Sequence, residues 1–304
     1  MLSELQSDDV AETAAGAGGG ETPMSSGRAG DLTSSQDLVA YNREAWDRQV
    51  AQDNMWTRPV GVEVIDAARR GEWSVVLTGN DPTPREWFPQ SIEGQKILCL
   101  ASGGGQQGPV LAAAGARVTV FDNSSAQLAQ DRRVSDSHTL GIRTVQGDMA
   151  DLTALEDASF DVVFHPVSNV FAPDVRPVWQ EARRVLRPGG RLLAGFMNPA
   201  IYVFDNEHFD RTGERVIRYA VPYSDARDLS AKELAAKRDR GEPMEFGHSL
   251  TDLIGGQITA GFRLIAFAEG HRGDGEWLSP LKGYLREYIS TCAVRESVTE
   301  GTLE

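Results

Sequence analysis

The chain has 304 residues, of which 40% are hydrophobic and 24% are charged, close to the average for globular proteins. It can therefore bury a sizeable core, which excludes a wholly disordered protein. The 44 acidic and 30 basic side chains give a formal net charge of −14, which repels phosphate backbones and anionic lipids and argues against a nucleic-acid or membrane-surface protein.

The cysteines, the histidines and the start of the chain indicate the compartment and the metal content. Cys99 and Cys292 each lie in an apolar run, which is typical of buried thiols and not of a disulfide framework. The five histidines show no metal-ligand spacing. The acidic start lacks the features of a signal peptide, and no apolar run reaches the length of a membrane span. We expect a cytoplasmic protein without a metal.

The first third of the chain divides into two segments by composition. Residues 1–35 are rich in Gly, Ala, Ser, Thr and acids, which predicts a disordered leader. From Gln36, helical spacing of apolar residues predicts an amphipathic helix that carries Tyr41 and Trp46, with Ser35 as its N-cap. A second helix over about 60–70 and a proline-rich loop follow. We interpret residues 36–95 as an N-terminal helical lid segment.

Strand and helix signals alternate from Lys96 onward, which predicts an α/β domain over residues 96–304 with parallel strands joined by crossover helices. Apolar runs such as VVF and RLLAGF fit strands that are covered on both faces. After Asn198 the pattern loosens into an insertion over about 198–248. The runs FRLIAFAEG and YISTCAVR come late in the chain and are predicted to pair antiparallel.

A glycine turn in ILCLASGGGQQGPV is the main functional signal. Gly103, Gly104 and Gly105 follow a predicted buried strand, where glycine lets the backbone approach a ligand closely. Asp122 ends the next strand, RVTVFD, where a carboxylate can accept both hydroxyls of a ribose. A nucleoside-containing ligand is the direct inference. Two alternatives stay open: a tight turn without a ligand, and a nicotinamide site, since Gly103, Gly105 and Gly108 also satisfy G-x-G-x-x-G.

Three further features help to distinguish between these interpretations of the glycine turn. Asp148 in QGDM follows the third strand, FDVVFH ends the fourth in His165, and the run EARRVLRPGGRLLAGF places a Pro-Gly-Gly turn before the fifth. In this order and spacing, these residues resemble the class I S-adenosylmethionine-dependent methyltransferases over about residues 36–295, and among them a small-molecule branch with a CLASGGG-type turn. The resemblance implies a Rossmann-like sheet of seven strands in the order 3-2-1-4-5-7-6, with strand 7 antiparallel.

The resemblance also implies a cofactor and a reaction. The cofactor is S-adenosyl-L-methionine, and the reaction is an in-line methyl transfer to a small-molecule acceptor. By matching position, the resemblance implies that Gly103 and Gly105 hold the methionine moiety. It also implies that Asp122 binds the ribose and that Asp148 and Met149 lie beside the adenine. The full predicted cofactor site is Tyr41, Trp46, Arg58, Ala101, Ser102, Gly103, Gly105, Asp122, Asn123, Asp148, Met149 and His165.

One departure from the family pattern concerns the glycine turn. The family usually has an acid and a glycine where this chain has Cys99 and Ala101, so a carboxylate that contributes to binding the cofactor ammonium is missing. We expect Ser102 and backbone carbonyls to serve instead. The same departure motivates an alternative, a non-catalytic cofactor-binding protein on this fold.

His165 is the predicted catalytic residue. It ends the fourth strand, where the resembling family places residues that face the methyl group, and an imidazole suits proton removal near neutral pH. Tyr41 and Trp46 are expected to close over the cofactor or simply to dock their helix, and Arg58 to pair with the cofactor carboxylate. The competing enzyme class, a nicotinamide-dependent oxidoreductase, is disfavoured because no Tyr-x-x-x-Lys pair follows the fourth strand.

Overall fold

The computed structural model describes residues 34–270 and 279–296, so nearly all of the predicted leader lies outside the described residues. The helices are α1 (Ser35–Ala51), α2 (Val62–Arg69), α3 (Gln107–Ala113), α4 (Ser125–His138), α5 (Arg176–Val185), α6 (Asn206–Thr212), α7 (Asp225–Asp228), α8 (Ala231–Asp239) and α9 (Gly256–Thr259). The strands are β1 (Val76–Thr78), β2 (Asp81–Pro82), β3 (Lys96–Leu100), β4 (Arg117–Asp122), β5 (Arg143–Gln146), β6 (Phe160–His165), β7 (Leu186–Met197), β8 (Tyr223–Ser224), β9 (Phe246–Gly247), β10 (Phe262–Gly270) and β11 (Tyr288–Arg295).

A seven-stranded sheet forms the centre of the molecule. Its order is β5-β4-β3-β6-β7-β11-β10, which in the numbering of the seven sheet strands is 3-2-1-4-5-7-6. The first five strands are parallel, and β11 runs antiparallel to both β7 and β10. The register of the last pair runs from Phe262 opposite Arg295 to Gly270 opposite Tyr288. The predicted α/β class, the strand order and the antiparallel end are confirmed.

Strand β3 shows why apolar runs fit this sheet. Successive side chains of a strand point to opposite faces. Ile97 and Cys99 pack in the cluster that includes α2, α3 and α4, whereas Leu98 and Leu100 pack in the cluster around Trp179 of α5. Helices cover both faces, so the strand needs apolar residues at every position.

The N-terminal segment differs from its prediction in two details. Ser34, not Ser35, is the N-cap of α1: its Oγ accepts from Asp37 N at 3.1 Å, and the Asp37 carboxylate accepts from Ser34 N at 3.2 Å. This reciprocal pair is a capping box. Farther on, β1 and β2 form a short hairpin in place of part of the expected loop. Trp73 and Phe88 are buried in the core with their rings 5.1 Å apart, so this part of the segment belongs to the main body.

The insertion after β7 packs against α1. It contains α6, α7 and α8 and the short β8–β9 pair. The Asn42 amide donates to Met244 O at 3.0 Å and accepts from Met244 N at 2.7 Å, which docks the two segments by a reciprocal bond. The Tyr41 hydroxyl adds a bond to Glu242 O at 2.9 Å. Together α1 and the insertion cover the sheet edge where the parallel strands end.

Candidate functional site

A cavity of about 770 Å³ lies at the carboxyl ends of the parallel strands, beneath α1 and the insertion. Ala101 after β3, Asp122 at the end of β4, Gly147 after β5 and Pro166 after β6 all line it. Open α/β sheets bind ligands at the carboxyl ends of their strands, at the point where the chain switches from building one half of the sheet to building the other. The fold therefore brings the predicted cofactor turn and the predicted insertion to one cavity.

Asp122 anchors the glycine turn. Its Oδ2 accepts from Gly103 N at 2.9 Å, and its Oδ1 accepts from Ser124 N at 2.9 Å. Burial raises the pKa of Asp122 to about 6, the N–H groups of Ser124 and Gly103 oppose the rise, and the Asp47 carboxylate adds to it. Each carboxylate oxygen retains acceptor capacity for one ribose hydroxyl. A Cβ at Gly103 would lie 2.7 Å from Gln127 Cβ and 3.0 Å from Asp122 Oδ2, which explains the glycine.

Two buried side-chain oxygens beside the glycine turn have no hydrogen-bond partner among the described residues. They are the Ser102 Oγ and the Gln127 Oε1, and both side chains line the cavity. Buried polar atoms are almost always paired, so a ligand that donates hydrogen bonds fits this wall. This placement agrees with the expected role of Ser102. Gln127 lies in α4, and sequence reasoning missed it.

Ala101 adopts the backbone conformation of the glycine that it replaces. Its φ is +46°, in the left-handed region that glycine favours. Its N–H donates to Phe121 O at 2.7 Å, which holds the residue between β3 and β4. An alanine therefore occupies a turn position whose backbone conformation favours glycine.

The predicted adenine and ribose neighbours also line the cavity. Asp148 and Met149 follow β5. The Asp148 Oδ1 accepts from Ala150 N at 3.0 Å, and burial raises the pKa of Asp148. Asn123 lines the cavity and also donates from Nδ2 to Val39 O at 2.9 Å, so it ties the cofactor wall to α1.

Helix α1 closes one side of the cavity. Trp46 lines it and packs edge-on against Phe171, with ring centroids 5.1 Å apart. The Asp47 carboxylate accepts from Ser124 Oγ at 2.6 Å and from Ala126 N at 3.0 Å, which fastens α1 to the start of α4. Trp46 thus lies over the cavity, and the helix that carries it is fixed by polar contacts on both sides.

Three predicted cofactor residues do not line the cavity. Tyr41 packs in the cluster that joins α1 to the insertion. Arg58 is exposed, and its guanidinium pairs with Asp53 at 3.1 Å. Gly105 is buried with a φ of +73°, and its carbonyl accepts from Val60 N at 3.0 Å. The structure therefore places these three residues outside the lining of the cavity, and their cofactor roles stay predictions.

His165 also points away from the cavity. The pleat of β6 places it on the same face as Val163, in the core, where its ring lies edge-on to Trp179 with centroids 5.9 Å apart. The side chain is 0% exposed, and its Nδ1 lies 2.9 Å from Leu100 O. Burial lowers the pKa of His165 to about 4. We correct the prediction of a general base, because a buried neutral ring cannot reach an acceptor in the cavity.

The half of the cavity beneath the insertion holds a polar cluster that the sequence did not reveal. Lys237 Nζ lies 2.8 Å from Asp225 Oδ2, and Asp225 Oδ1 accepts from the Tyr223 hydroxyl at 2.7 Å. The Tyr202 hydroxyl donates to Glu245 Oε2 at 3.0 Å. All five side chains line the cavity. They come from loops and short elements between residues 202 and 245, which have no periodic pattern to reveal a shared position.

Burial and the neighbouring charges determine the protonation states of the side chains in this cluster. Burial lowers the pKa of Lys237, but the carboxylates of Glu245 and Asp225 outweigh burial and raise it, so the ammonium stays charged. Burial and the Asp225 carboxylate raise the pKa of Tyr223, and burial with Glu245 raises that of Tyr202. Both tyrosines therefore act as neutral hydrogen-bond donors near neutral pH.

Residues 34–270 and 279–296 contain neither a cluster of metal-ligating side chains nor a membrane-spanning helix. No group of three or more His, Cys, Asp or Glu side chains in these ranges is arranged to hold a metal ion. No helix among the described residues is both long and apolar enough to cross a membrane.

Comparison with known proteins identifies relatives of the chain. Residues 98–194 match the family model of a methyltransferase domain. The uncharacterized methyltransferase YbaJ of Bacillus subtilis is 47% identical over 258 residues, which cover 85% of this chain and 98% of that protein.

Two solved structures share the fold. A putative S-adenosylmethionine-dependent methyltransferase from Listeria monocytogenes is 17% identical with a TM-score of 0.54, covering 70% of this chain and 95% of that one. An S-adenosylmethionine-dependent methyltransferase from Mesorhizobium loti is 19% identical with a TM-score of 0.51, covering 69% and 95%. The comparisons do not favour a nicotinamide-dependent oxidoreductase.

Proposed function

The chain belongs to the S-adenosylmethionine-dependent methyltransferases, and we propose that its acceptor is a small molecule held beneath the insertion. The cavity beneath α1 and the insertion carries this proposal. Its volume of about 770 Å³ lies within the range of roughly 300–1,000 Å³ that is usual for small-molecule sites. Because α1 and the insertion cover it, the cavity suits a compact acceptor better than a polymer.

The cofactor site that we propose follows the glycine turn. Asp122 would accept the ribose hydroxyls, and Asp148 with Met149 would lie beside the adenine. Ser102 and Gln127, with their unpaired buried oxygens, would receive donors from the methionine part. When bound, the cofactor supplies an electrophilic methyl group on a sulfonium. Trp46 and Phe171 would exclude water from this space, and exclusion with alignment is what in-line transfer chiefly requires of the protein.

Acceptor binding falls to the polar cluster of the insertion. Glu245 and the hydroxyl of Tyr202 would orient the acceptor, and Glu245 is the group that would take up a proton if the acceptor must lose one. Asp225 is engaged by Lys237 and Tyr223 and would hold the cluster together. His165 takes no part in this scheme.

Partners and location follow from charge and cysteine usage. A net charge of −14 disfavours nucleic acid as the methylated substrate. Cys99 and Cys292 are free and buried, which fits a reducing compartment, and we propose the cytoplasm.

A methyl-transfer assay tests the proposal. The protein is incubated with cofactor labelled in its methyl group and, separately, with small-molecule, protein and nucleic-acid fractions of a cell extract. We expect label to enter the small-molecule fraction, and the Asp122→Ala variant to reduce the transfer strongly. Label in the protein or nucleic-acid fraction alone would overturn the proposed acceptor class. Cofactor binding without transfer in any fraction would favour the non-catalytic alternative.

A further inference from the structure

A second buried carboxyl contacts the glycine turn without lining the cavity. Asp131 in α4 is 0% exposed, and its Oδ2 accepts from Gly104 N at 3.0 Å. The preceding N–H, that of Gly103, donates to Asp122. Carboxyls from two different elements therefore hold two consecutive backbone groups of the turn.

Packing alone does not account for an acid at this position. Burial raises the pKa of Asp131 to about 8, with the N–H groups of Gly105 and Gly104 opposing the rise and the Asp122 carboxylate adding to it. The Gly104 N–H also has a second acceptor, Gln127 O at 3.2 Å, so it would stay paired without the carboxyl. An apolar side chain would fill the buried face of α4 at lower cost. Its contact with the glycine turn therefore explains the acid at position 131 better than core packing does.

Cys99 lies close to Asp131. Cys99 packs in the same core cluster as Leu128, on the face of β3 that α4 covers, and Asp131 belongs to this helix. Burial raises the pKa of the Cys99 thiol well above its usual range, and the Asp131 carboxyl raises it further. Cys99 stands where the resembling family usually has an acid. A carboxyl from α4 is thus present in the neighbourhood that an acid at position 99 would occupy.

We propose that Asp131 is a positioning residue, which fixes the turn from Ser102 to Gly105 in the form that receives the cofactor, in place of the acid that is absent at position 99. This inference rests on the proposed location of the cofactor at the turn. The backbone of Ala101, with its φ of +46°, needs such support. A left-handed backbone is unfavourable for a residue other than glycine, so contacts around Ala101 must hold the turn in shape.

Binding of S-adenosylhomocysteine, the product form of the cofactor, tests the inference by calorimetry. Asp131→Ala removes one of the two acceptors of the Gly104 N–H, whereas Asp131→Asn keeps an oxygen there. We expect the Ala variant to bind about tenfold or more weakly and the Asn variant within about threefold of wild type at pH 7. Ser135→Ala is the matched control. Ser135 is buried one helical turn farther along α4, where its Oγ accepts from Ile142 N at 3.0 Å, away from the glycine turn.

The control separates positioning from a general loss of stability. Ser135→Ala should lower the melting temperature and leave the affinity within about twofold. Unchanged affinity in a folded Asp131→Ala variant would overturn the inference, as would equal losses in the Ala variant and the Ser135 control. If wild type does not bind the ligand, the proposed function fails. If wild type binds, Asp122→Ala does not, and both Asp131 variants bind as wild type, only the present inference fails.

A pH series gives a readout that a structural role would not move, and it remains available if the Ala variant does not fold. A carboxylate is a stronger acceptor than its protonated form, so the ratio of wild-type to Asp131→Asn affinity should increase between pH 7 and pH 9. Asp122 in β4 and Cys99 in β3, the titratable neighbours of Asp131, are present in both proteins. A ratio that stays constant over this range would contradict the inference.

Discussion

Asp122 and Asp131 accept hydrogen bonds from adjacent backbone N–H groups, those of Gly103 at 2.9 Å and Gly104 at 3.0 Å. One carboxyl lies at the end of a strand and lines the cavity, and the other lies on a helix and does not. This arrangement separates two tasks. Asp122 is available to a ligand, and Asp131 is available only to the turn.

The stability of the protein should depend on the ionisation of Asp131. Its pKa rises from 3.8 to about 8 on folding, so the folded state binds more protons than the unfolded state between these values. This residue therefore makes wild type less stable as the pH rises from about 4 to about 8. Asp131→Asn lacks this contribution. Denaturant unfolding at several pH values should show that the variant becomes more stable relative to wild type as the pH rises. A difference in the free energy of unfolding that stays constant with pH would contradict the prediction.

His165 should affect stability rather than the pH dependence of the rate. Its pKa falls from 6.5 to about 4 on folding, so the unfolded state binds more protons in that window, and wild type loses stability as the pH falls through it. His165→Gln should not show that loss. The variant should also leave the shape of the rate profile between pH 6 and pH 8 unchanged. An ionisation near neutrality that disappears in the variant would restore His165 as a base.

Trp46 should contribute to cofactor binding because it lies over the cavity. Trp46→Ala removes the edge-on contact with Phe171 and opens the site to water, and we expect about tenfold weaker binding of S-adenosylhomocysteine. Tyr41→Phe, on the same helix, is the control, since it keeps the ring of a side chain that does not line the cavity and removes the hydroxyl that bonds Glu242 O. It should cost about 1 kcal/mol of stability at most and leave the affinity unchanged. Equal effects of the two variants on affinity would reject the assignment.

Glu245 should act on the acceptor and not on the cofactor. Glu245→Gln keeps an acceptor for the Tyr202 hydroxyl but loses the charge, so we expect a lower kcat/KM for the acceptor, by about tenfold or more, and the same affinity for S-adenosylhomocysteine. Steady-state kinetics and calorimetry on the same preparation measure both. An equal loss of affinity for S-adenosylhomocysteine would show that Glu245 contributes to cofactor binding, which would contradict the prediction.

Local patterns explain what the sequence predicts correctly. The parallel strands and the late antiparallel pair follow from apolar runs and their spacing, whereas the strand order follows from the resemblance to the methyltransferases. Asp122 lines the cavity, in agreement with its place one strand after the glycine turn, and its role at the ribose stays a prediction. His165 was predicted wrongly because the end of a strand does not specify the face, and the pleat of β6 turns this side chain to Trp179.

Long-range contacts explain what the sequence does not predict. Asp225 and Glu245 meet only because the insertion folds back on itself through β8 and β9. For Asp131 a signal does exist, since it falls on the buried face of α4 with Leu128 and Ser135, at helical spacing. An acid in such a stripe indicates a buried polar contact, but its partner lies on another element.

Calorimetric titration of wild type and Asp122→Ala with S-adenosylhomocysteine tests whether the cavity holds the cofactor, and it requires no knowledge of the acceptor. We expect saturable binding to one site in wild type. We expect the variant to lose about 2–4 kcal/mol of binding free energy, since two charge-assisted acceptors of the ribose are removed. A melting curve shows whether the variant is folded. Absence of binding to wild type, or equal binding to a folded variant, would contradict the claim that this cavity holds the cofactor at Asp122.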